Sequence, residues 1–355
     1  MLKGFTRKLK PLEILTEEQV ETMHQASMEI LETTGVKVGH DGALKLLAKN
    51  GCKVDFEEQR VKMPTGLVEE CLRKCPSSYT IKARDPKYDV RIGGNTLYFL
   101  QGMGMRYVDL DSCEFRAATL QEHKEAAIVG DALINLHIGD GCFSYTDLVG
   151  VPPVMVMLEG LASGLRNSSK AQHFGYQKDC EIFAIKMAKE LGISIDAELD
   201  IAAPLTFYNG SVEALYRFAE AGFGVHACPS ASPGASGPAT IAGTVISQAA
   251  ATAAFIVIAE LIKPGTPVLP MYSGPPLHVK GGHPITSTTH NALLTLAYNQ
   301  LCRRYGLPVG TTCGFSSNSK KIDFQCGYEK ALGSLISCLT GSNFHVLQGG
   351  LSEEL

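Results

Sequence analysis

Two periodicities divide the chain. Up to about residue 118 short helical and extended patterns are mixed. Thr16 and Gln19 form a capping box, and Leu15 can staple against Val20. The apolar positions Val20, Met23, Ile30 and Leu31 then predict a first helix that stops at Gly35. A second helix is expected from Asp41 to Asn50, a short strand pair over 52–64, and a third helix from Thr65 to Lys74. Residues 78–118 read as strands punctuated by Asp85-Pro86, Gly93-Gly94-Asn95 and Asp111-Ser112. Residues 1–118 are therefore expected to form an N-terminal α+β elaboration.

From Thr119 the grammar changes. Thr119 and Glu122 make another capping box, opening a helix to about Leu133. Short apolar runs follow near 135–143, 171–176, 199–207, 223–228, 267–272, 308–314 and 343–348. Helical patterns lie between them near 152–166, 178–191, 211–221, 239–263, 287–305 and 327–340. Such alternation predicts parallel βα units. A doubly wound sheet is disfavoured, because no GxGxxG follows an early strand. The expectation is an α/β fold, a TIM (β/α)8-type barrel over 119–355. Seven units can be counted, so the last barrel unit is expected to be missing at the C-terminus.

Composition narrows the function. A chain of 355 residues with 45% hydrophobic residues can bury a large core, and a net charge of −4 with no basic stripe argues against nucleic acid and anionic membranes as partners. Eleven scattered cysteines without a CxxC pair suggest reduced thiols in a cytoplasmic protein. The apolar stretch from Ala249 to Ile262 is too short to span a bilayer and reads as a buried helix.

In a barrel the site should lie where the strands end. Aromatic residues recur there: Phe143, Tyr145, Phe174, Tyr176, Phe207, Tyr208, Tyr272 and Phe315. Ring faces with few charged neighbours suit a quaternary ammonium, at about 0.5–2 kcal/mol per good contact. For any single ring, packing of the barrel mouth is the commoner explanation; recurrence over several strands favours binding. His226 and Cys228 share a strand face and admit a zinc-hydrolase alternative, although further ligands are lacking. His173, His278 and His283 read equally well as structural. The loop from Gly274 to Pro284 reads as a lid or docking loop.

One segment carries a more specific signal. Ser319, Lys320, Asp323, Gln325, Gly327 and Glu329 form an SK-x-x-D-x-Q-x-G-x-E pattern that resembles the trimethylamine methyltransferase superfamily. Phe344 to Leu351, Leu15 to Gln19 and Leu31 to Val36 are similar to other family segments. The resemblance implies a TIM barrel that demethylates a small amine and passes the methyl group to Co(I) of a separate corrinoid protein. This chain would bind no cofactor itself; the partner would supply the cobalamin. The resemblance further implies one-carbon metabolism of the methanogenic or acetogenic type. Trimethylamine-specific members carry pyrrolysine, whereas this sequence contains standard residues only. That favours the non-pyrrolysine members and glycine betaine as substrate, with proline betaine, carnitine or a betaine-binding barrel without turnover as alternatives. Phe143, Tyr145, Tyr208, Tyr272, Phe315, Asn318, His345 and Gln348 are the expected substrate-binding residues. Lys320, Asp323 and Gln325 are expected to face the partner. Asn318, Lys320, Gln348, His345 and His226 are candidate donors to a substrate carboxylate. A homo-oligomer is a further expectation.

Overall fold

A computed structural model describes residues 4–102, 106–109, 112, 114–140, 150–311, 317–319 and 321–347. Eight parallel strands close into a barrel: β1 (Thr96–Gln101), β2 (Ile138–Asp140), β3 (Ala171–Gly175), β4 (Ile195–Ile201), β5 (Val225–Pro229), β6 (Val268–Tyr272), β7 (Gly310–Thr311) and β8 (Phe344–Leu347). Closure is made by β8 on β1, with Phe344 opposite Tyr98, His345 opposite Phe99 and Val346 opposite Leu100. The expected missing unit is therefore present. It stands first in the chain, not last, within the stretch assigned to the N-terminal elaboration. The boundary at 118 cuts between β1 and its own helix.

The barrel helices are α1 (Leu120–Ala132), α2 (Val156–Asn167), α3 (Cys180–Glu190), α4 (Asn209–Ala221), α5 (Ile241–Ile262), α6 (Thr289–Arg304) and α7 (Phe324–Leu339). Both capping boxes form as expected, at Thr16–Gln19 and Thr119–Glu122. At the other end of α1, the buried Lys170 ammonium donates to the carbonyls of Gly130, Leu133 and Leu136 at 2.6–2.7 Å. A cation there satisfies orphan carbonyls and the negative end of the helix dipole.

α5 is apolar all round because it is covered on both sides. Its residues from Ala249 to Glu260 are buried, and the N-terminal helices Glu17–Glu29 and Thr65–Lys74 pack on it together with α4 and α6. A helix hydrophobic on every face belongs inside a protein or a membrane; here it lies inside.

The hairpin Ser78–Ile81/Val90–Gly93 runs antiparallel and leads directly into β1, so it sits at the N-terminal end of the barrel. Tyr79, Ile81, Ala83, Val90 and Ile92 join Tyr98, Leu100, Ile138, Ala171, Leu269, Met271, Phe344 and Val346 in one buried cluster. The hairpin thus plugs the barrel floor, and among the described residues the C-terminal strand ends stay open, with Asp200 exposed there. A four-stranded sheet of 206–207, 36–38, 60–62 and 53–55 completes the N-terminal region.

Candidate active site at the open end of the barrel

Strand β4 organises the interior. Side chains on a strand alternate between its faces. Ile195, Ala197, Leu199 and Ile201 point outward into the layer shared with the helices. Asp196, Glu198 and Asp200 therefore share the inward face, one above another. Asp196 is buried, Glu198 half-buried and Asp200 exposed, so the column climbs from the floor to the open mouth. Cys228, inward on β5 beside Asp200 in the pairing register, lies next to both upper carboxylates. Burial first, then those neighbouring charges, pushes its thiol well up. Asp200 reaches solvent, yet partial shielding by the barrel wall raises its carboxyl pKa.

At the base of the column, Asp196 accepts from His173 Nδ1 at 3.0 Å, His226 Nε2 at 2.7 Å and the Tyr79 hydroxyl at 3.1 Å. Because a carboxylate only accepts, these contacts assign the proton to Nδ1 of His173 and Nε2 of His226. The imidazoles stack at 4.8 Å, with the Phe344 ring 4.7 Å from His226. Burial alone would raise the Asp196 pKa, but the two imidazoles hold it below the ordinary carboxylate range. Burial also keeps His226 neutral, against the pull of Asp196. The donor atoms of His173, Asp196 and His226 lie within 4.8 Å of one another, a spacing compatible with a metal. The hydrogen bonds already account for both Asp196 oxygens. This network ties the hairpin plug to β3, β4 and β5, and it takes His226 away from a metal pair with Cys228.

The residues expected from sequence distribute unevenly. Phe143, Tyr145, Phe315, Gln348 and Lys320 lie outside the described residues. Tyr272 points outward: its ring packs 5.7 Å from Tyr298 of α6, and its hydroxyl bonds the Gly274 carbonyl. Gly274 itself lies so close to the Ala231 carbonyl that a Cβ would sit 2.3 Å from that oxygen. His345 also points outward, since its neighbours Phe344 and Val346 fill the barrel interior. It hydrogen-bonds Thr311 through Nδ1 and meets the Phe99 ring edge at 6.0 Å. Neither residue faces the cavity, because the strand phase differs by one position from the one a binding role requires. Phe174 and Phe207 likewise belong to the outer layer, and Tyr208 is 65% exposed at the start of α4. The described rings therefore do not converge on one cage.

Burial drives His345 down to about 3, which makes it an acid-sensitive element. Its folded pKa lies below the unfolded value of about 6.5, so the stability it supports is complete above that value and is lost as pH falls from 6.5 toward 3. The slope is up to about 1.4 kcal/mol per pH unit. Urea titrations at pH 7, 5 and 4 should show this loss, and His345→Gln should remove that part of it.

Asn318 lies in the loop that leads into α7, at the C-terminal end of the barrel. Its Oδ1 accepts from Thr286 N, Thr286 Oγ1 and Ser287 N at 3.0–3.2 Å. Two backbone donors fix the amide orientation. Its Nδ2 is then buried with no partner among the described residues. The SK-x-x-D-x-Q segment is a loop lock. Ser319 Oγ lies 2.8 Å from Asp323 Oδ1, Asp323 caps α7 through Cys326 N, and Gln325 donates to Glu329 at 2.9 Å. Glu329 in turn accepts from Ser317 Oγ and Asn318 N at 2.8 and 2.7 Å. Asp323 and Gln325 remain exposed on the C-terminal face.

The carboxylate column was missed from sequence, although Ile195-Asp-Ala-Glu-Leu-Asp-Ile201 alternates strictly. In a closed barrel the outer face of each strand is covered by helices, so the polar half of such a strand must point inside. That was the available signal.

Fold and site together define a (β/α)8 barrel with an inward column of carboxylates rising toward its C-terminal end. The chain matches the trimethylamine methyltransferase (MTTB) family over residues 1–355 and belongs to that family. It is 32% identical over 350 residues to a glycine betaine methyltransferase of Desulfitobacterium hafniense strain Y51, covering 95% of this chain and 72% of that protein. It is 25% identical to the trimethylamine methyltransferase MttB of Methanosarcina thermophila, covering 94% and 71%. Among solved structures, the monomethylamine methyltransferase MtmB of Methanosarcina barkeri shares the fold with a TM-score of 0.60 at 10% identity, over 98% of this chain and 78% of that one. The protein is an amine methyltransferase, and the hydrolase alternative falls.

Proposed function

We propose that this enzyme takes a methyl group from the trimethylammonium of glycine betaine and passes it to Co(I) of a separate corrinoid protein. The observation that carries the substrate class is the inward column of Glu198 and Asp200 rising to the open mouth. A quaternary nitrogen cannot donate a hydrogen bond, so it is selected by charge and shape, and carboxylates in a partly desolvated barrel supply the field. The 32% identical relative named for glycine betaine supports the choice within that class. The Nδ2 of Asn318, buried with no partner among the described residues, suits the betaine carboxylate.

The chemistry places few demands on the chain. The C–N bond breaks with its electron pair going to nitrogen, and the methyl carbon bonds to the cobalt lone pair. The departing dimethylglycine is neutral at nitrogen, so no proton need be delivered in the step. The protein's task is to hold the nitrogen with one methyl group aimed out of the mouth and to exclude water. The cobalamin comes with the partner, in keeping with a cytoplasmic enzyme whose eight described cysteines are all free thiols.

The test is a spectral assay with a Co(I) corrinoid protein and a panel of glycine betaine, proline betaine, carnitine and trimethylamine. Formation of methyl-Co(III) with glycine betaine preferred over the others is the expected result. Preference for proline betaine or carnitine would move the substrate within the class. Betaine binding without methyl transfer to any corrinoid acceptor would overturn the reading as an active enzyme.

A further inference from the structure

The N-terminal end of the barrel, opposite the mouth, carries a cavity of about 670 Å³. Four stretches far apart in sequence meet there: the segment at Arg7 and Pro11, the plug hairpin with Arg91, the end of α6 at Arg303, and the entry to β8 at Asn343. Three guanidinium groups line this cavity. No Asp, Glu or Lys does so among the described residues, and none of the described salt bridges involves Arg7, Arg91 or Arg303.

Backbone carbonyls take part of the donor capacity. Arg7 donates to the carbonyls of Ser342 and Gly94, Arg303 to that of Thr340, and Arg91 to the Ser78 hydroxyl at 3.3 Å. The carbonyls of Thr340 and Ser342 follow the last turn of α7, so a structural role explains one bond from each of Arg7 and Arg303. It leaves Arg7 Nε buried with no partner among the described residues. It also leaves like charges side by side. Burial and then the Arg303 charge lower the Arg7 pKa, and burial likewise lowers that of Arg303. Glu13 is the acidic group whose field reaches Arg303, but its carboxylate is engaged with Lys10 at 2.8 Å.

We propose that this cavity binds a small molecule carrying a phosphate or pyrophosphate group. Guanidinium forks match phosphate oxygens bidentately, and a polyanion would offset three gathered positive charges. Ser78, Asn95 and Thr96 add neutral polar groups to the wall, while Leu307 and Tyr98 supply an apolar side for the organic part. Because an occupant would bridge the four converging stretches, binding should stabilise the whole fold. The inference is independent of the substrate assigned to the mouth.

Thermal unfolding with inorganic pyrophosphate, against sodium chloride at matched ionic strength and against citrate, tests it. A saturable rise of a few degrees with pyrophosphate is expected. Arg91 is exposed, so Arg91→Glu should leave the unliganded melting temperature unchanged and weaken pyrophosphate binding at least about tenfold; Arg303→Gln should weaken it similarly. A rise no larger than that given by chloride, or one unaltered in Arg91→Glu, would overturn the site. Equal stabilisation by citrate would overturn the phosphate assignment.

Discussion

Replacing Asp196 by alanine should cost about 3–5 kcal/mol of folding stability. The substitution leaves two imidazole N–H groups and one phenol O–H without an acceptor in a region sealed from water. Each stranded buried donor costs about 1–3 kcal/mol, and a methyl group offers nothing in exchange. Against a total of about 5–15 kcal/mol for a typical domain, the loss is a large share. Asp196→Asn retains one acceptor oxygen and should fall between alanine and wild type. Urea unfolding measures both. A loss below about 1 kcal/mol for the alanine variant would mean that the hairpin plug is not held through this carboxylate.

The second large effect concerns activity. Glu198→Gln keeps the side-chain shape and removes a charge from the cavity wall. Two unit charges about 5 Å apart interact by about 3 kcal/mol at an effective dielectric constant of about 20. Water at the half-open mouth reduces this, leaving roughly a 10- to 100-fold loss in kcat/KM for a cationic amine. Asp200→Asn, closer to solvent, should lose less than about tenfold. Melting temperature should be unchanged in both, and the kinetics need a saturating Co(I) acceptor. An unchanged kcat/KM in Glu198→Gln would remove β4 from substrate recognition.

Much of this architecture could be read from the chain. The helices were legible because capping boxes and 3.6-residue periods leave local marks, and both capping boxes form. The strands were located to within a few residues, except that β4 begins at Ile195 and not near 199, because Asp196 and Glu198 interrupt the apolar run by which strands were recognised. The first barrel strand was missed for a different reason. Thr96–Gln101 sits among short antiparallel strands, with a hairpin and not an α-helix directly before it, so the βα count began one unit late. Its near-continuous apolar run, Leu97-Tyr-Phe-Leu100, is what a parallel strand buried on both faces shows, and that was the sign available.

Site residues were harder to read because a strand's phase decides everything. Tyr272 and His345 stand at the right height in the barrel but on the outer face. One position of shift exchanges cavity for core, and an apolar run carries no mark of its phase when both faces are buried. Asn318 stands in the segment that carries the family resemblance, and its hydrogen bonds, like most of that segment's, lock the loop. Glu198 and Asp200 carry no motif and lie away from the aromatic strand ends, yet the alternation in β4 already separates a polar face from an apolar one.

The claim that the mouth selects a fixed positive charge can be tested with one pair of ligands. Calorimetric titration of the protein with glycine betaine and with 3,3-dimethylbutanoate compares the ammonium with its uncharged carbon isostere, the carboxylate being common to both. Glycine betaine should bind at least about tenfold more tightly, with the advantage lost in Glu198→Gln. Equal affinities for the two ligands in the wild-type protein would contradict the account.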